Sequence, residues 1–265
     1  MILLSFNTFA DAGPKPSLEI IVENMDNDNY WLDLLVKDES EYSWLDISLE
    51  EKEKLSKLVE YRDADGFHPA LLVGTRVPLF GKLKGEVLEN GTYSHKFSYV
   101  GTPELFKIAI LTEDGELIVS PEITRKHFQS KVIFDVSTLK GKEVLPVKSM
   151  FLEFNFRLLM TLAIEFLVAL LFGFSLKKYW KILLGVNILT QVILNIGIIS
   201  ANLYGGLFMA IFVFVLMEIG IMIFETRVYL KKLTDKTRAS RMFYGITANL
   251  LSLVAGFYLN ILGML

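Results

Sequence analysis

Four long apolar runs dominate the second half of the chain, at about 158–176, 182–201, 203–224 and 243–263. Each approaches the roughly 20 residues that a helix needs to cross about 30 Å of hydrocarbon, so the pattern predicts four membrane spans. Before them the periodicity is different. "LEIIVEN", "YWLDLLV", "LFKIAIL", "ELIVS" and "KVIFDVS" are short apolar or alternating runs that predict β-strands. Asn90-Gly91 separates "GKLKGEVLE" from "TYSHKFSYV", and "TEDG" separates two further runs. Both predict hairpin turns, because Asn-Gly and Asp-Gly readily supply positive φ angles. "SLEEKEKLSKLVEY" changes to helical spacing, with Leu49, Leu55, Leu58 and Val59 apolar and Ser48 with Glu51 as a capping box. The pattern therefore predicts a β-sandwich of immunoglobulin- or prealbumin-like kind over 13–145, with one helical insertion, and an α-helical four-span bundle over 146–265.

Charge gives the bundle a direction. Residues 1–150 carry 17 Lys+Arg against 25 Asp+Glu, whereas the remainder carries 10 against 5. The basic residues of the second half cluster in two links, Lys177, Lys178 and Lys181, then Arg227, Lys231, Lys232, Lys236, Arg238 and Arg241. Positive links belong in the cytoplasm. The uncharged link "ANLYGG" then lies outside, and the β-domain and the C-terminus are expected outside the plasma membrane. Export of the β-domain fits residues 1–12 as a partial signal peptide or N-terminal extension, with an apolar patch at Met1–Phe6 and small residues near Ala10, but no basic n-region. The chain has no Cys, which excludes a disulfide framework and thiol chemistry.

Few residues of the outer domain point to chemistry. "DNDN" (26–29) and "DADG" (63–66) contain oxygen ligands suited to Ca²⁺, yet neither completes a calcium loop, and turn chemistry explains both. His68, His95 and His127 are scattered, which predicts surface histidines. Trp31, Trp44, Tyr61 and Phe67 read as a core and its edge. No metal site, cofactor motif, phosphate loop or catalytic triad is expected.

The apolar runs, by contrast, carry polar residues that hydrocarbon penalises. Glu165, Asn187, Thr190, Gln191, Asn195, Glu218, Asn249 and Ser252 form the expected intramembrane polar core. Asn187, Gln191 and Asn195 fall at i, i+4 and i+8, a ladder along one face that is expected to look inward. Gly245, Asn249, Ser252 and Gly256 make a small-residue face expected to pack on that ladder. Counting about 1.5 Å per residue from the assumed boundaries places Glu218 level with Asn187 and Asn249, and Glu165 about 10 Å nearer the outside. Glu225 falls at the cytoplasmic boundary, where Arg227 or solvent is a sufficient partner.

"ADAGPKPSLEI", "FSYVGTPELFKIAILTEDGELIVS", "FRLLMTLAIEFLVALLFGF" and "NILTQVILNI" together resemble a family of uncharacterised membrane proteins of Gram-positive bacteria. The resemblance covers nearly the whole chain. It implies an exported β-domain followed by four transmembrane helices, and it carries no catalytic residues. Glu165, Asn187, Thr190, Gln191 and Asn195 are the polar positions that match it.

Two functions are compatible with these features. In one, the protein is not an enzyme: the outer domain binds an extracellular ligand or partner, and the bundle anchors it in lipid and assembles with other membrane subunits or with further copies. In the other, the polar core handles a proton or cation in a small transporter or channel subunit. Nucleic acid is not an expected partner, since the basic links set topology and contact anionic lipid.

Overall fold

The structure, a computed structural model, describes residues 14–25, 29–38, 42–43, 45, 48–89 and 91–261. Residues 1–12 lie outside that set, as do Asp26, Asn27, Asp28, Trp44 and Asn90. The chain divides between Leu145 and Pro146 into two compact units.

The first unit holds eleven strands among its described residues. They are β1 (Ser17–Glu23), β2 (Tyr30–Val36), β3 (His68–Pro69), β4 (Phe80–Gly81), β5 (Glu86–Val87), β6 (Tyr93–Ser98), β7 (Leu105–Thr112), β8 (Leu117–Val119), β9 (Ile123–Thr124), β10 (Gln129–Asp135) and β11 (Lys140–Val144). One sheet runs β11-β10-β1-β6-β4, with β5 also on β6; the other runs β3-β2-β7-β8, with β9 also on β7. Alternation along β1 sends Leu18, Ile20 and Val22 into the core, where Phe97, Val132 and Phe134 of the same sheet meet Leu32, Leu34, Phe106 and Ile108 of the other. Both expected hairpins form: β7 pairs antiparallel with β8, and β5 with β6, with Gly115 at φ 79° and Gly91 at φ 82° in the turns. The first sheet is nevertheless mixed, because β1 pairs parallel with β10, from Ser17 opposite Gln129 to Glu23 opposite Asp135. Hairpin signals carry no trace of such a pairing, since its partners are remote in sequence.

The helical insertion is two short helices rather than one. Ser48 caps α1 (Leu49–Lys54), its side chain accepting from Glu51 N while Glu51 reaches back to Ser48 N at 3.0 Å. Leu55 leaves helical geometry at ψ 11°, and α2 (Ser56–Val59) follows. The break lets Leu55 and Leu58 both anchor in the core, with α2 packed on β3 and β7. This cover explains why β2 is buried on both faces, Asp33 and Leu35 as fully as Leu32 and Leu34.

The histidines are not at the surface. His68 and His95 are buried, and His127 is largely covered, with Nδ1 2.7 Å from Glu143 Oε1. Each has a polar partner, which removes the cost that made burial unexpected. The "DADG" segment behaves as a turn: Asp63 Oδ1 accepts from Asp65 N and Phe67 N, and Oδ2 pairs with Lys107 at 2.7 Å.

The second unit contains three long helices, α3 (Val147–Leu171), α4 (Leu176–Lys232) and α5 (Arg238–Ile261). The four separate spans expected from the sequence are thus corrected to three helices. Two of these, α3 and α4, are long and apolar enough to cross a membrane; α5, with its more polar face, is not among them. The expected runs 182–201 and 203–224 both belong to α4, a 57-residue element broken only at Gly206, with φ 74° and ψ −174°. Helical hydrogen bonding continues up to this residue, so "ANLYGG" is no loop. Only Gly adopts that φ without strain. The break folds α4 back on itself: Gly197 approaches Met217, Thr190 bonds Glu225 and Asn187 bonds Tyr229, pairs arranged symmetrically about the break.

One end of this unit gathers the basic residues. Lys178, near the start of α4, forms an ion pair with Asp235, just past its end, and Tyr179 Oη accepts from Thr234 N and Asp235 N at 3.1 and 3.2 Å. Lys177, Lys178 and Lys181 are thereby brought beside Lys231, Lys232 and Lys236 at the ends of the two limbs. Gly206 lies at the opposite end.

Candidate functional site

The helical unit buries more ionisable chemistry than its apolar sequence suggests. Glu165 of α3, Glu225 of the second limb of α4 and Tyr229 one turn further on are all essentially inaccessible, at 1%, 1% and 0% exposure. Tyr229 Oη donates to Glu165 Oε2 at 2.9 Å and lies 3.5 Å from Glu225 Oε2, so one hydroxyl links the two acids. Asn187 Nδ2, on the first limb of α4, donates to Glu165 Oε2 at 2.5 Å. Thr190 Oγ1 donates to Glu225 Oε1 at 2.6 Å, and Asn249 Nδ2 of α5 donates to Glu225 Oε2 at 2.9 Å. The buried Tyr244 ring of α5 lies 5.2 Å from the Tyr229 ring, tilted at 47° to it.

Helical spacing builds this cluster. Asn187 and Thr190 are i and i+3 on one limb, while Glu225 and Tyr229 are i and i+4 on the other, and such pairs share a face. The antiparallel fold at Gly206 then apposes the two faces. Gly245 permits the close approach of α5, because a Cβ there would meet Thr226 Oγ1 at 2.7 Å. Asn187 Oδ1 is buried without a hydrogen-bond donor among the described residues. A buried acceptor left in that state costs roughly 1–3 kcal/mol, so this cluster is not optimised for stability alone.

The sequence-selected residues divide into two layers. Glu165, Asn187, Thr190 and Asn249 join the cluster. Gln191, Glu218 and Ser252 line a separate cavity of about 30 Å³, shared with Arg157 and Thr161. Asn195, also buried, donates to the Gln191 carbonyl of its own helix at 2.8 Å. Two expectations are corrected. Glu218 does not pair with Asn187 and Asn249; these amides serve Glu165 and Glu225. Nor does Glu165 lie about 10 Å from the level of Asn187, because Asn187 Nδ2 bonds it directly at 2.5 Å. The small-residue face of α5 packs largely against Thr226 and Glu225 on the second limb, and only Ser252 and Gly256 reach the cavity beside Gln191.

Glu225, Tyr229 and Tyr244 are the residues that sequence reasoning missed. In the sequence Glu225 reads as a boundary residue because Arg227 follows it. A signal was present: Glu218, Glu225 and Tyr229 fall at i, i+7 and i+11, a single stripe along one helix face.

The β unit has a buried carboxylate of another kind. Asp33 is covered by the segment after β3 and accepts from the backbone N–H groups of Leu34, Leu71 and Leu72 at 2.7, 3.0 and 3.0 Å. Burial pushes its carboxyl up to about 7, against the downward pull of those donors. His95 is held down at about 4 by burial, with Nε2 3.2 Å from Tyr30 Oη. No group of three or more His, Cys, Asp or Glu suited to a metal ion occurs among the described residues. The chain matches no family model, no curated protein and no solved structure.

Proposed function

We propose that the chain is an integral protein of the plasma membrane whose helical unit holds and passes protons at the Glu165–Glu225 pair. The β unit, placed outside the cell, is a sandwich of immunoglobulin- or prealbumin-like kind that binds a ligand or partner. The observation that carries this reading is the pair itself, two fully buried glutamates linked by one tyrosine hydroxyl within an apolar unit. Ionisable groups are expensive in hydrocarbon, and where a protein retains them they serve ion or proton paths.

Membrane placement is supported by the surface of α3 and α4. Only 17% and 11% of their most apolar windows are buried within the chain, whereas a core helix of a water-soluble protein is mostly buried. The outward residues are large and apolar, among them Leu167, Leu171, Phe208 and Phe212. Patches of this size require lipid or protein cover. The gathered lysines favour the cytoplasm for that end.

The test is proton movement into vesicles carrying the purified full-length chain, read with an internal pH dye under an imposed potential. Wild type is expected to dissipate the gradient at least tenfold faster than empty vesicles, and Glu225→Gln to lose that gain while remaining folded. If wild type matches empty vesicles, the cluster is interhelical hydrogen-bond cement. The well-satisfied Glu225 carboxylate is the observation that favours that second reading.

A further inference from the structure

Polar side chains on all of the helical elements point to the same two levels. Thr161 and Glu165 of α3 are i and i+4; Gln191 and Asn187 of the first limb of α4 are i and i−4; Ser252 and Asn249 of α5 are i and i−3. In each case the first residue lines the cavity and the second belongs to the acid cluster. Glu218 and Glu225 complete the set at i and i+7 on the second limb, about 10 Å apart along the helix. The cavity layer and the cluster layer are thus adjacent, with the cavity on the side away from the lysine-rich end.

The size of the cavity limits what it takes. About 30 Å³ exceeds the roughly 10–15 Å³ that one water needs. It is too small for a metal cation with several oxygen ligands, and Arg157 on its wall repels one. Its polar lining suits water instead: a carboxyl from Glu218, an amide from Gln191, hydroxyls from Thr161 and Ser252. Ser252 Oγ is buried with no hydrogen-bond partner among the described residues, so it is available to such a molecule.

We infer that this cavity is a water-binding site that delivers protons to the buried pair, with Glu218 as the relay. The inference rests on the proton-handling reading of that pair. In the first step, a neutral water in the cavity gives a proton to the Glu218 carboxylate as it takes one from the water beyond it; on the cavity water one O–H bond breaks and one forms, and one forms on Glu218. In the second, the Glu218 O–H breaks and its proton is carried by a cavity water, on which one O–H forms and one breaks, to a carboxylate of the Glu165–Glu225 pair, where an O–H forms; Glu218 returns to carboxylate. Gln191 and Asn187 flank this passage on the facing limb. Arg157 of α3 shares the cavity wall with Glu218, and Glu225 lies two turns further along the same limb.

Infrared spectroscopy of the full chain in lipid vesicles tests the relay, because the carbonyl band of a protonated carboxyl shifts when its proton is replaced by deuterium. After transfer of wild type to heavy water, the band assigned to the pair by its loss in Glu225→Gln is expected to exchange within seconds. In Glu218→Gln the same band is expected to remain but to exchange at least tenfold more slowly, and Glu218→Asp to restore most of the rate. Ser252→Val, which makes the cavity less polar while leaving Glu218 in place, is expected to slow exchange similarly. Wild-type exchange in Glu218→Gln and Ser252→Val would overturn the relay and leave the pair as a proton site reached another way. Absence of any protonated-carboxyl band in wild type would overturn the proton-holding reading itself.

Discussion

Asp33 in the β unit and Glu225 in the helical unit are both buried acids with three close polar neighbours, but the neighbours differ in kind. Asp33 is fixed by backbone N–H groups, which cannot rotate away and which would be orphaned without it. Glu225 is met by a threonine hydroxyl, an asparagine amide and a tyrosine hydroxyl, all on side-chain bonds that rotate, with a second acid close by. Backbone partners make a carboxylate into a structural fastener. Side-chain partners, each able to exchange its hydrogen bond, make a place where a proton can change hands. The same residue class, equally buried, is therefore read differently in the two units.

Replacing the fastener is the harshest test. Asp33→Leu leaves the N–H groups of Leu71 and Leu72 buried and unpaired, at about 1–3 kcal/mol each. The β unit is expected to lose at least about 2 kcal/mol, measured as accelerated hydrogen exchange in β2 and β7. Protection equal to wild type would show that Asp33 is not a fastener.

Next in size is the fold-back of α4. Gly206→Leu forces a side chain into positive φ, at a cost of about 1–3 kcal/mol. Thermal unfolding in detergent is expected to fall by several degrees, with the β unit unaffected; an unchanged transition would mean that the break tolerates a side chain.

The ionisable pair inside the β unit gives smaller effects of opposite sign. His95, ordinarily near 6.5, titrates at about 4 when folded, so the unfolded chain binds the proton first and stability falls as pH drops from 6.5 to 4. Asp33, ordinarily near 3.8, titrates at about 7 when folded, so its contribution is present at low pH and lost as pH rises to 7. On lowering the pH from about 7 to 5 each amounts to about 2–3 kcal/mol, and they largely cancel. His95→Gln removes one side of the balance. Its β unit is expected to become less stable on raising the pH from 4 to 7, read from exchange rates in β1 corrected for intrinsic chemistry. A flat profile in the variant would refute the assignment.

Glu225→Gln should change stability least, by under about 1 kcal/mol, since an amide keeps one acceptor for Thr190 or Asn249. Under the proton-handling proposal its effect falls on proton movement instead. A collapse of the fold comparable to that of Asp33→Leu would erase the distinction between the two acids.

Sequence reasoning succeeded where the determinant was local. The capping box at Ser48, the turns at Gly91 and Gly115 and the inward ladder of Asn187, Gln191 and Asn195 each follow from residues a few positions apart. It failed where position depended on a remote partner. The parallel register of β1 on β10 has no local signature, and Gly206 reads as the end of a loop unless the helix on both sides is known. Glu225 was misplaced for a similar reason: its proximity to Arg227 is visible in sequence, whereas its contacts with Thr190 and Asn249 exist only after the chain has folded back.

The parallel seam between β1 and β10 also sets a clock. Ser17 emerges from the ribosome long before its partner Gln129. At roughly 5–20 residues per second, β1 waits on the order of 5–20 s before the strand that completes its sheet has been made. Both its edges are open until β6 has been made, and the edge that takes β10 stays open to the end of that interval.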